Sequence, residues 1–268
     1  MAKPLLTDAL WAVIEPILPP LKRHRKGGRP AVPHRSALTG ILFVLKTGIG
    51  WEDLPQEMGC GCGMTCWRRL RAWKRRGVWH SLHHLLLNRL NEADQIDWSR
   101  VVVDSTSVRA VFWGEQTGPN PTDRRKAGSK HHVLSEGHGI PLVTRLTGAN
   151  VHDVTQLIPL IDSIPPVAGK RGRPRRRPDS AYADRAYDSK AHRQALRRRR
   201  IAPKIPRRRT AHGSGLGRYR WVIERTNAWF HQFRRLRVRY DRTAEMHEAF
   251  MTLASCVICW RFLQHGFC

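Results

Sequence analysis

Arg100-Val-Val-Val-Asp104 is the stretch that decides the fold, because three consecutive valines indicate a buried strand that ends on a carboxylate. Two further runs, Lys130-His-His-Val-Leu134 and Ile140-Pro-Leu-Val-Thr-Arg-Leu146, have the composition of strands. Ligand sites of open α/β sheets gather where strands end. Asp104 is therefore the first candidate site residue.

After these three strands the sequence alternates between helix and strand patterns. Helices are predicted over about residues 154–164 and 189–200, and short strands over residues 180–183 and 201–205. This order is typical of an RNase H-like α/β domain, a mixed sheet with flanking helices. We assign residues 99–268 to a catalytic domain of this class.

Residues 1–98 carry helix patterns only and predict a small all-α domain of the helix-turn-helix type. The helix that begins near Thr65 directs Trp67, Leu70 and Trp73 toward a core. Its outward cations are Arg68, Arg69, Arg71, Lys74 and Arg75. This arrangement is typical of a DNA recognition helix, although a solvated cationic face would have the same pattern.

The charge of the chain indicates a polyanionic partner. Of 268 residues, 48 are Lys or Arg and 21 are Asp or Glu, which gives a net charge of +27. Such a surface attracts nucleic acid, and double-stranded DNA is the expected partner. An RNA-binding protein is an alternative, but most aromatic residues here have the spacing of helix cores rather than of base-stacking platforms.

Two basic segments extend this expectation. The loop at residues 168–178 contains Arg171-Gly-Arg-Pro174, the core of an AT-hook, whose arginines enter the minor groove of A·T-rich DNA. Its candidate DNA-binding residues are Arg171, Arg173, Arg175 and Arg176. The alternative is a disordered loop that touches phosphates without sequence preference. Arg197 and Arg198, near the end of a helix, are expected to flank the active site and to hold the DNA backbone.

A single carboxylate, Glu224, lies in an otherwise aromatic and basic helix, on one face with Arg220 and His231. Asp184 ends a short strand as Asp104 does. If the three carboxylates converge, their repulsion requires divalent cations, and oxygen ligands select Mg²⁺, for which Mn²⁺ is a substitute. Two such ions would support phosphoryl transfer, with Arg220 and His231 steadying the phosphate.

Simpler roles exist for each acid. Asp104 could cap a turn, and Glu224 could pair with a neighbouring arginine. Asp188 competes with Asp184 for the second position, but it precedes Ser189 and suits the N-cap of the following helix. Asp153 has the position of another residue that begins a helix.

Four stretches together carry a resemblance to a known family. They are Val103-Asp-Ser-Thr-Ser-Val-Arg-Ala110, Thr147-Gly-Ala-Asn-Val-His-Asp153, Ala183-Asp-Arg-Ala-Tyr-Asp-Ser189 and Arg220-Trp-Val-Ile-Glu-Arg-Thr-Asn-Ala-Trp229. Over nearly its whole length the chain resembles the DDE transposases of bacterial insertion sequences, in particular the insertion-sequence-five family. The resemblance implies that Asp104, Asp184 and Glu224 are the catalytic acids and metal ligands. The family's signature around its glutamate is matched at Arg220, while Gly217 stands where a tyrosine is usual and His231 where a lysine or arginine is usual.

The resemblance also implies an activity and partners. It implies Mg²⁺-dependent cleavage at insertion-sequence ends, followed by strand transfer of the 3′-hydroxyl into target DNA. The N-terminal helices would bind the terminal inverted repeats, and a homo-oligomer, in the simplest case a dimer, would hold two ends. We expect a cytoplasmic, nucleoid-associated protein without a membrane segment. The alternatives are an RNase H-like nuclease that does not join strands and an inactive DNA-binding derivative.

Overall fold

The structure, a computed structural model, describes residues 4–21, 30–208 and 217–265. Its α-helices are α1 (Asp8–Ile14), α2 (His34–Thr47), α3 (Gly63–Arg75), α4 (Val78–Glu92), α5 (Leu157–Asp162), α6 (Lys190–Arg198), α7 (Gly217–His231), α8 (Arg234–Arg237) and α9 (Ala244–His265). Its strands are β1 (Arg100–Ala110), β2 (Gly118–Pro119), β3 (Ala127–Glu136), β4 (Pro141–Gly148), β5 (Ser180–Tyr182), β6 (Ala202–Lys204) and β7 (Val238–Arg239). None of the helices in these ranges has both the length and the hydropathy needed to cross a membrane.

The sheet is mixed and is built around β1. Strand β3 pairs antiparallel with both β1 and β4, whereas β5 runs parallel to β1 and β6 runs parallel to β5. The short strands β2 and β7 extend the sheet beside β3 and β1. Helix α6 connects the parallel pair β5 and β6 as a crossover. The predicted RNase H-like class, with three early strands followed by α/β units, is confirmed.

The valine run behaves as its composition requires. Val101, Val102 and Val103 are all fully buried, because helices cover one face of the central strand and the remaining core covers the other. The burial of β1 fixes its register against β5, where Val102 lies opposite Tyr182. The positions of the two aspartates beyond these residues follow from that register.

The N-terminal helices share a hydrophobic core with the sheet domain. The Cys256 thiol of α9 donates a hydrogen bond to the Trp79 carbonyl in α4 at 3.6 Å, and Trp51 stacks on Phe250 with ring centres 5.7 Å apart. His83 of α4 lies 2.8 Å from the carbonyl of Pro141 at the start of β4. Residue 98 thus separates two patterns of secondary structure in the sequence. The side chains before and after it nevertheless pack into one continuous core.

The terminal helix α9 is also fixed by a buried polar chain. Arg235 donates to the Asp241 carboxylate at 3.0 Å, and His247 lies 3.6 Å from the same carboxylate. His247 in turn lies 2.7 Å from His131 of β3. All four side chains are at most 5 % exposed, so the polar chain links α8, α9 and the sheet inside the core.

Candidate active site

Two of the predicted acids meet at one edge of the sheet. Val102 of β1 is in register with Tyr182 of the parallel strand β5, and Asp104 and Asp184 each follow two residues later. Both carboxylates therefore come to the same level of neighbouring strands, just beyond the end of β5. The prediction that Asp104 ends its strand is wrong, because β1 continues to Ala110 through its pairing with β3. Asp184 is the N-cap of a 3₁₀ turn, Arg185–Tyr187, and its carboxylate accepts a hydrogen bond of 2.9 Å from the backbone N–H of Ala186.

Helix α7 brings further polar residues to this edge. The Asn227 amide donates a hydrogen bond of 3.1 Å to the Asp104 carboxylate, although the two residues are remote in sequence. Glu224 lies one turn before Asn227 on the same face and is exposed. Arg220 lies a further turn back, and its charge acts on the Asp104 carboxyl.

Asp104 is a carboxylate whose ionised form is disfavoured by its surroundings. Burial raises its pKa from 3.8 to about 6. The Ser105 N–H and the Arg220 charge lower the pKa, and the carboxylates of Asp184 and Asp153 raise it further. A bound cation would stabilise the ionised form that burial disfavours.

Asp153 is a fourth carboxylate near the site, and its electrostatic role was not expected from the sequence. It begins a 3₁₀ turn as predicted, but its side chain makes no cap and lies 2.9 Å from the Lys130 ammonium of β3. Lys130 also donates to the Val151 carbonyl at 2.9 Å. In the sequence, Asp153 is marked only by its place in one of the stretches that resemble the family. Its pairing with Lys130 could not be predicted from the sequence.

Asp188 does not cap the following helix. Ser189 is the N-cap residue of α6, and no side-chain hydrogen bond caps it. The Asp188 carboxylate instead accepts hydrogen bonds of 2.8 Å from the Arg193 side chain and from the backbone N–H of Arg208. The capping prediction for Asp188 is therefore wrong, because two donors from α6 and the segment after β6 bind the carboxylate first. Asp184, in contrast, accepts one backbone hydrogen bond, so it is the member of this pair whose carboxylate is less engaged by protein donors.

The chemical type of the donor atoms fits a divalent cation, but the donors are not gathered around one point. Asp104 and Asp184 supply carboxylate oxygens, the ligands that Mg²⁺ and Mn²⁺ prefer. Within the described part of the chain, no three His, Cys, Asp or Glu side chains come close enough to hold a metal ion. Glu224 thus lies on the face of α7 that carries Asn227, but its carboxylate does not form a group of three with the two aspartates.

His231 differs from the expected cation. Burial, and secondarily the charge of Arg237, lowers the pKa of its imidazole, which is therefore neutral at pH 7. The ring lies near His131 of β3, whose own pKa it lowers. The half-buried side chain of Arg220 has an Nε without a hydrogen-bond partner among the described residues. Arg220, rather than His231, is therefore the candidate cation on this face of α7.

The helix α3 differs from the expected recognition helix. Arg71 and Arg75 both bind the Glu245 carboxylate of α9, at 3.3 and 2.8 Å, and Lys74 lies 3.3 Å from Glu248. Arg69 lies 2.6 Å from the His34 ring and donates to the Val32 carbonyl. Of the five expected DNA-binding residues, Arg68 is exposed and has no such partner in the part of the chain that is described. Helix α3 packs on α9, where Arg71, Lys74 and Arg75 bind acidic side chains of α9, while Arg69 binds the segment at the start of α2.

The basic loop and the end of α6 lie away from the aspartates. The crossover α6 leaves the edge that holds Asp184 and returns to the start of β6, so Arg197 and Arg198 are at the opposite edge. The expectation that they flank the site is wrong for this topological reason. In the loop, Arg175 pairs with Asp179 at 3.0 Å and Arg176 donates to the Asp162 carbonyl, so neither hangs free.

Comparisons with known proteins agree with the motifs. The family described as "Transposase DDE domain" matches residues 98–259, and the family described as "Putative transposase of IS4/5 family" matches residues 6–83. The "Putative transposase for insertion sequence element IS402" of Burkholderia cepacia is 58% identical over 168 residues, 62% of this chain and 77% of that protein. The "Insertion element IS402 uncharacterized 16.2 kDa protein" of the same organism is 61% identical over 45% of this chain and 84% of that protein.

Among solved structures, the catalytic domain of Mos1 mariner transposase aligns with 72% of this chain and 92% of that chain. The sequence identity is 14% and the TM-score is 0.26, a likeness too distant to decide any feature of the site.

Proposed function

The chain belongs to the DDE-domain transposases, and from this membership we propose that it cleaves DNA at insertion-sequence ends and joins the freed 3′-hydroxyl to target DNA. One observation carries the site assignment. Asp104 and Asp184 follow the same register position of two parallel strands, and Asn227 ties the helix that bears Glu224 to Asp104. This arrangement supports Asp104, Asp184 and Glu224 as the catalytic acids.

We propose that these three carboxylates hold divalent cations, with Mg²⁺ as the natural ion and Mn²⁺ as a substitute. The raised pKa of Asp104 supports this role, because burial without a counter-ion disfavours the carboxylate. When bound, such ions activate an attacking oxygen and stabilise a leaving oxygen in phosphoryl transfer. Glu224 has to turn from solvent toward the aspartates, which its exposed position on α7 permits.

Arg220 is proposed to bind the scissile phosphate. Its guanidinium is near enough to influence the Asp104 carboxyl, and its Nε has an unused hydrogen-bonding capacity in a half-buried position. Arginine binds phosphate oxygens through planar paired donors and keeps its charge. Neutral His231 would act, if at all, by packing or as a hydrogen-bonding group rather than as a cation.

Duplex DNA is the proposed partner, in the form of terminal repeats and target. The net charge of +27 supports this proposal, and phosphate contacts should make binding depend steeply on salt. In the N-terminal helices the contact would involve Arg68 rather than the cations that bind α9. Because two ends must be joined, we propose that a dimer acts on DNA.

The test is a cleavage and strand-transfer assay on the DNA ends that flank the gene. Wild type is compared with Asp104→Asn, Asp184→Asn and Glu224→Gln in Mg²⁺, with DNA binding measured in parallel. We expect each substitution to abolish cleavage while binding persists, since only the metal ligands change. Asp123→Asn is the matched control, because Asp123 is an exposed carboxylate paired with Lys126 at 3.9 Å.

Three outcomes are informative. Cleavage followed by joining of the 3′-hydroxyl supports a transposase, whereas cleavage that yields only hydrolysed ends supports the nuclease alternative. Binding of wild type without Mg²⁺-dependent cleavage would identify an inactive derivative. Wild-type turnover in any one of the three site variants would remove that residue from the catalytic set.

A further inference from the structure

Residues 167–175, which we name the basic hairpin, form an ordered turn rather than a loose loop. Val167 and Arg175 exchange two backbone hydrogen bonds of 2.8 Å as an isolated antiparallel bridge. Gly172 stands at the tip with a φ of +107°, a conformation that side-chain-bearing residues rarely adopt. Arg171 and Arg173 therefore flank a turn that depends on glycine.

The base of the basic hairpin is held firmly on helix α4. Ala168 donates to the Asn88 side chain at 2.8 Å and accepts from the Asn91 side chain at 2.7 Å. Gly169 approaches α4 so closely that a Cβ there would lie 2.3 Å from the Asn88 carbonyl oxygen. Lys170 pairs with Asp94 near the end of the same helix. The base is thus a rigid support.

The tip, in contrast, carries cations that the protein does not use. Arg171 and Arg173 are exposed and have no ion pair or hydrogen bond to the residues that the structure describes. A Cβ at Gly172 would meet nothing within 4 Å in the same part of the chain, so packing does not require the glycine. Two free guanidinium groups on either side of a bare backbone form a narrow cationic projection.

The basic hairpin stands at the edge of the sheet opposite the proposed active site. Strand β1 advances about 13 Å from Arg100 to Asp104, and the hairpin leads into the start of its neighbour β5. Asp162 joins the residue that follows the hairpin to the C-cap of α6, because it accepts from Arg176 through its carbonyl and from Arg199 through its carboxylate. The exposed Arg197 and Arg198 lie on that last turn of α6.

We propose that the basic hairpin is a second DNA contact that inserts Arg171 and Arg173 into the minor groove of an A·T-rich segment. Arginine favours narrow A·T minor grooves because their negative potential is enhanced. The exocyclic amino group of guanine occupies the floor of the groove in G·C pairs. Gly172 lets the backbone follow the arginines, since no side chain stands between them. The inference rests on the proposed function for its DNA partner.

The test uses three duplexes of equal length and fluorescence anisotropy at one salt concentration with the full chain. One duplex is A·T-rich, one has G·C pairs at the same positions, and one has inosine·C pairs, which lack the minor-groove amino group but keep the G·C major groove. We expect the wild type to bind the A·T and inosine·C duplexes at least about fivefold more tightly than the G·C duplex.

Variants of the tip residues test whether the tip causes the preference for the A·T and inosine·C duplexes. Arg171→Ala/Arg173→Ala and the charge-neutral Gly172→Ala should each remove the preference. The control for lost charge is Arg177→Ala/Arg198→Ala, two exposed arginines outside the tip, which should weaken binding equally on all three duplexes. The control for backbone strain is Gly59→Ala, where φ is +62° and a Cβ also meets nothing within 4 Å; it should keep the preference.

The outcomes separate this inference from the proposed function. Equal affinity of the wild type for the three duplexes, or a preference that survives in both tip variants, would overturn the inference even if Mg²⁺-dependent cleavage occurs. A preference that the tip variants remove would support it even if the cleavage assay fails, and in that case the catalytic proposal alone would fall.

Discussion

Asn227 of α7 donates its side-chain hydrogen bond to Asp104 of β1 at 3.1 Å, and this contact connects the helix of the third acid to the strand of the first. The contact orients a carboxylate whose pKa is raised by burial. Asn227 is thus a positioning residue for the proposed metal site. Glu224 lies one helical turn from Asn227. The same contact therefore also sets the distance that the Glu224 side chain has to cover to reach the aspartates.

Asn227→Ala should reduce Mg²⁺-dependent cleavage roughly 10- to 100-fold, the usual cost of losing a partner of a metal ligand. Without this donor the pKa of Asp104 rises, so the acidic limb of the rate–pH profile should move to higher pH. A purely structural role would lower the rate without moving the profile. Gln194→Ala, an exposed amide on α6, is the matched control and should leave both rate and profile unchanged.

Asp104→Asn should stabilise the metal-free protein at neutral pH while it abolishes cleavage. The folded-state pKa is about 6, above the ordinary value of 3.8, so the stability associated with the protonated carboxyl is present below pH 3.8 and is lost as pH rises through 6. At pH 7.5 the variant should gain about 1–3 kcal/mol in the free energy of unfolding. Urea unfolding of both proteins in EDTA, at pH 7.5 and at pH 4, measures this difference in the free energy of unfolding.

Measuring the free energy of unfolding at both pH values provides the control for this prediction. Near pH 4 Asp104 is already largely protonated in the folded protein, so the wild type and Asp104→Asn should have nearly equal stabilities. A variant that is equally or less stable at pH 7.5 would contradict the assignment of Asp104 as an uncompensated buried carboxyl.

Arg68→Ala and Arg71→Ala should separate DNA contact from helix docking on α3. Arg68 is exposed and free of partners in the described structure, whereas Arg71 binds Glu245 of α9. Arg68→Ala should weaken DNA binding and reduce the salt dependence of log Kd by about one phosphate contact. Arg71→Ala should chiefly lower the melting temperature by a small amount, as expected for a largely solvated pair.

Anisotropy titrations over a salt series and thermal melts of both variants measure this difference. If Arg71→Ala reduces the salt slope as much as Arg68→Ala does, then α3 leaves α9 when DNA binds, and the ion pairs to Glu245 belong to the unbound state only.

Asp241→Asn should destabilise the fold strongly. Burial alone would raise the pKa of Asp241, but His247 and Arg235 hold it below its ordinary value, so the carboxylate is charged and compensated. Its loss leaves the buried Arg235 without a counter-ion, at a cost of about 3–5 kcal/mol. Chemical unfolding at pH 7 measures this change.

Asp162→Asn is the matched control for Asp241→Asn. Asp162 also pairs with an arginine, Arg199, at 2.7 Å, but both side chains are substantially exposed. Its loss should cost less than about 1 kcal/mol, because solvent screens the pair. Comparable losses in the two variants would show that burial of the Arg235–Asp241 pair contributes nothing particular.

The sequence by itself determined the class of fold and which carboxylates are the candidate catalytic acids. The valines before Asp104 specify a buried central strand, because such a run is stable only between two covered faces. Once β1 and β5 are parallel neighbours, Asp104 and Asp184 come to one edge without further information. Local periodicity likewise placed Glu224 on one face with Arg220, because helix geometry depends on nearest neighbours along the chain.

Only the tertiary structure decided which charges are free. A run of arginines has the same pattern whether it faces water, DNA or another helix, so the sequence did not distinguish Arg68 from Arg71, which binds Glu245 of a distant helix. The same limit hid the contact of Asn227 with Asp104 and the position of Arg197 at the far edge. Long-range pairings depend on which surfaces meet in three dimensions, and the local sequence pattern does not contain that information.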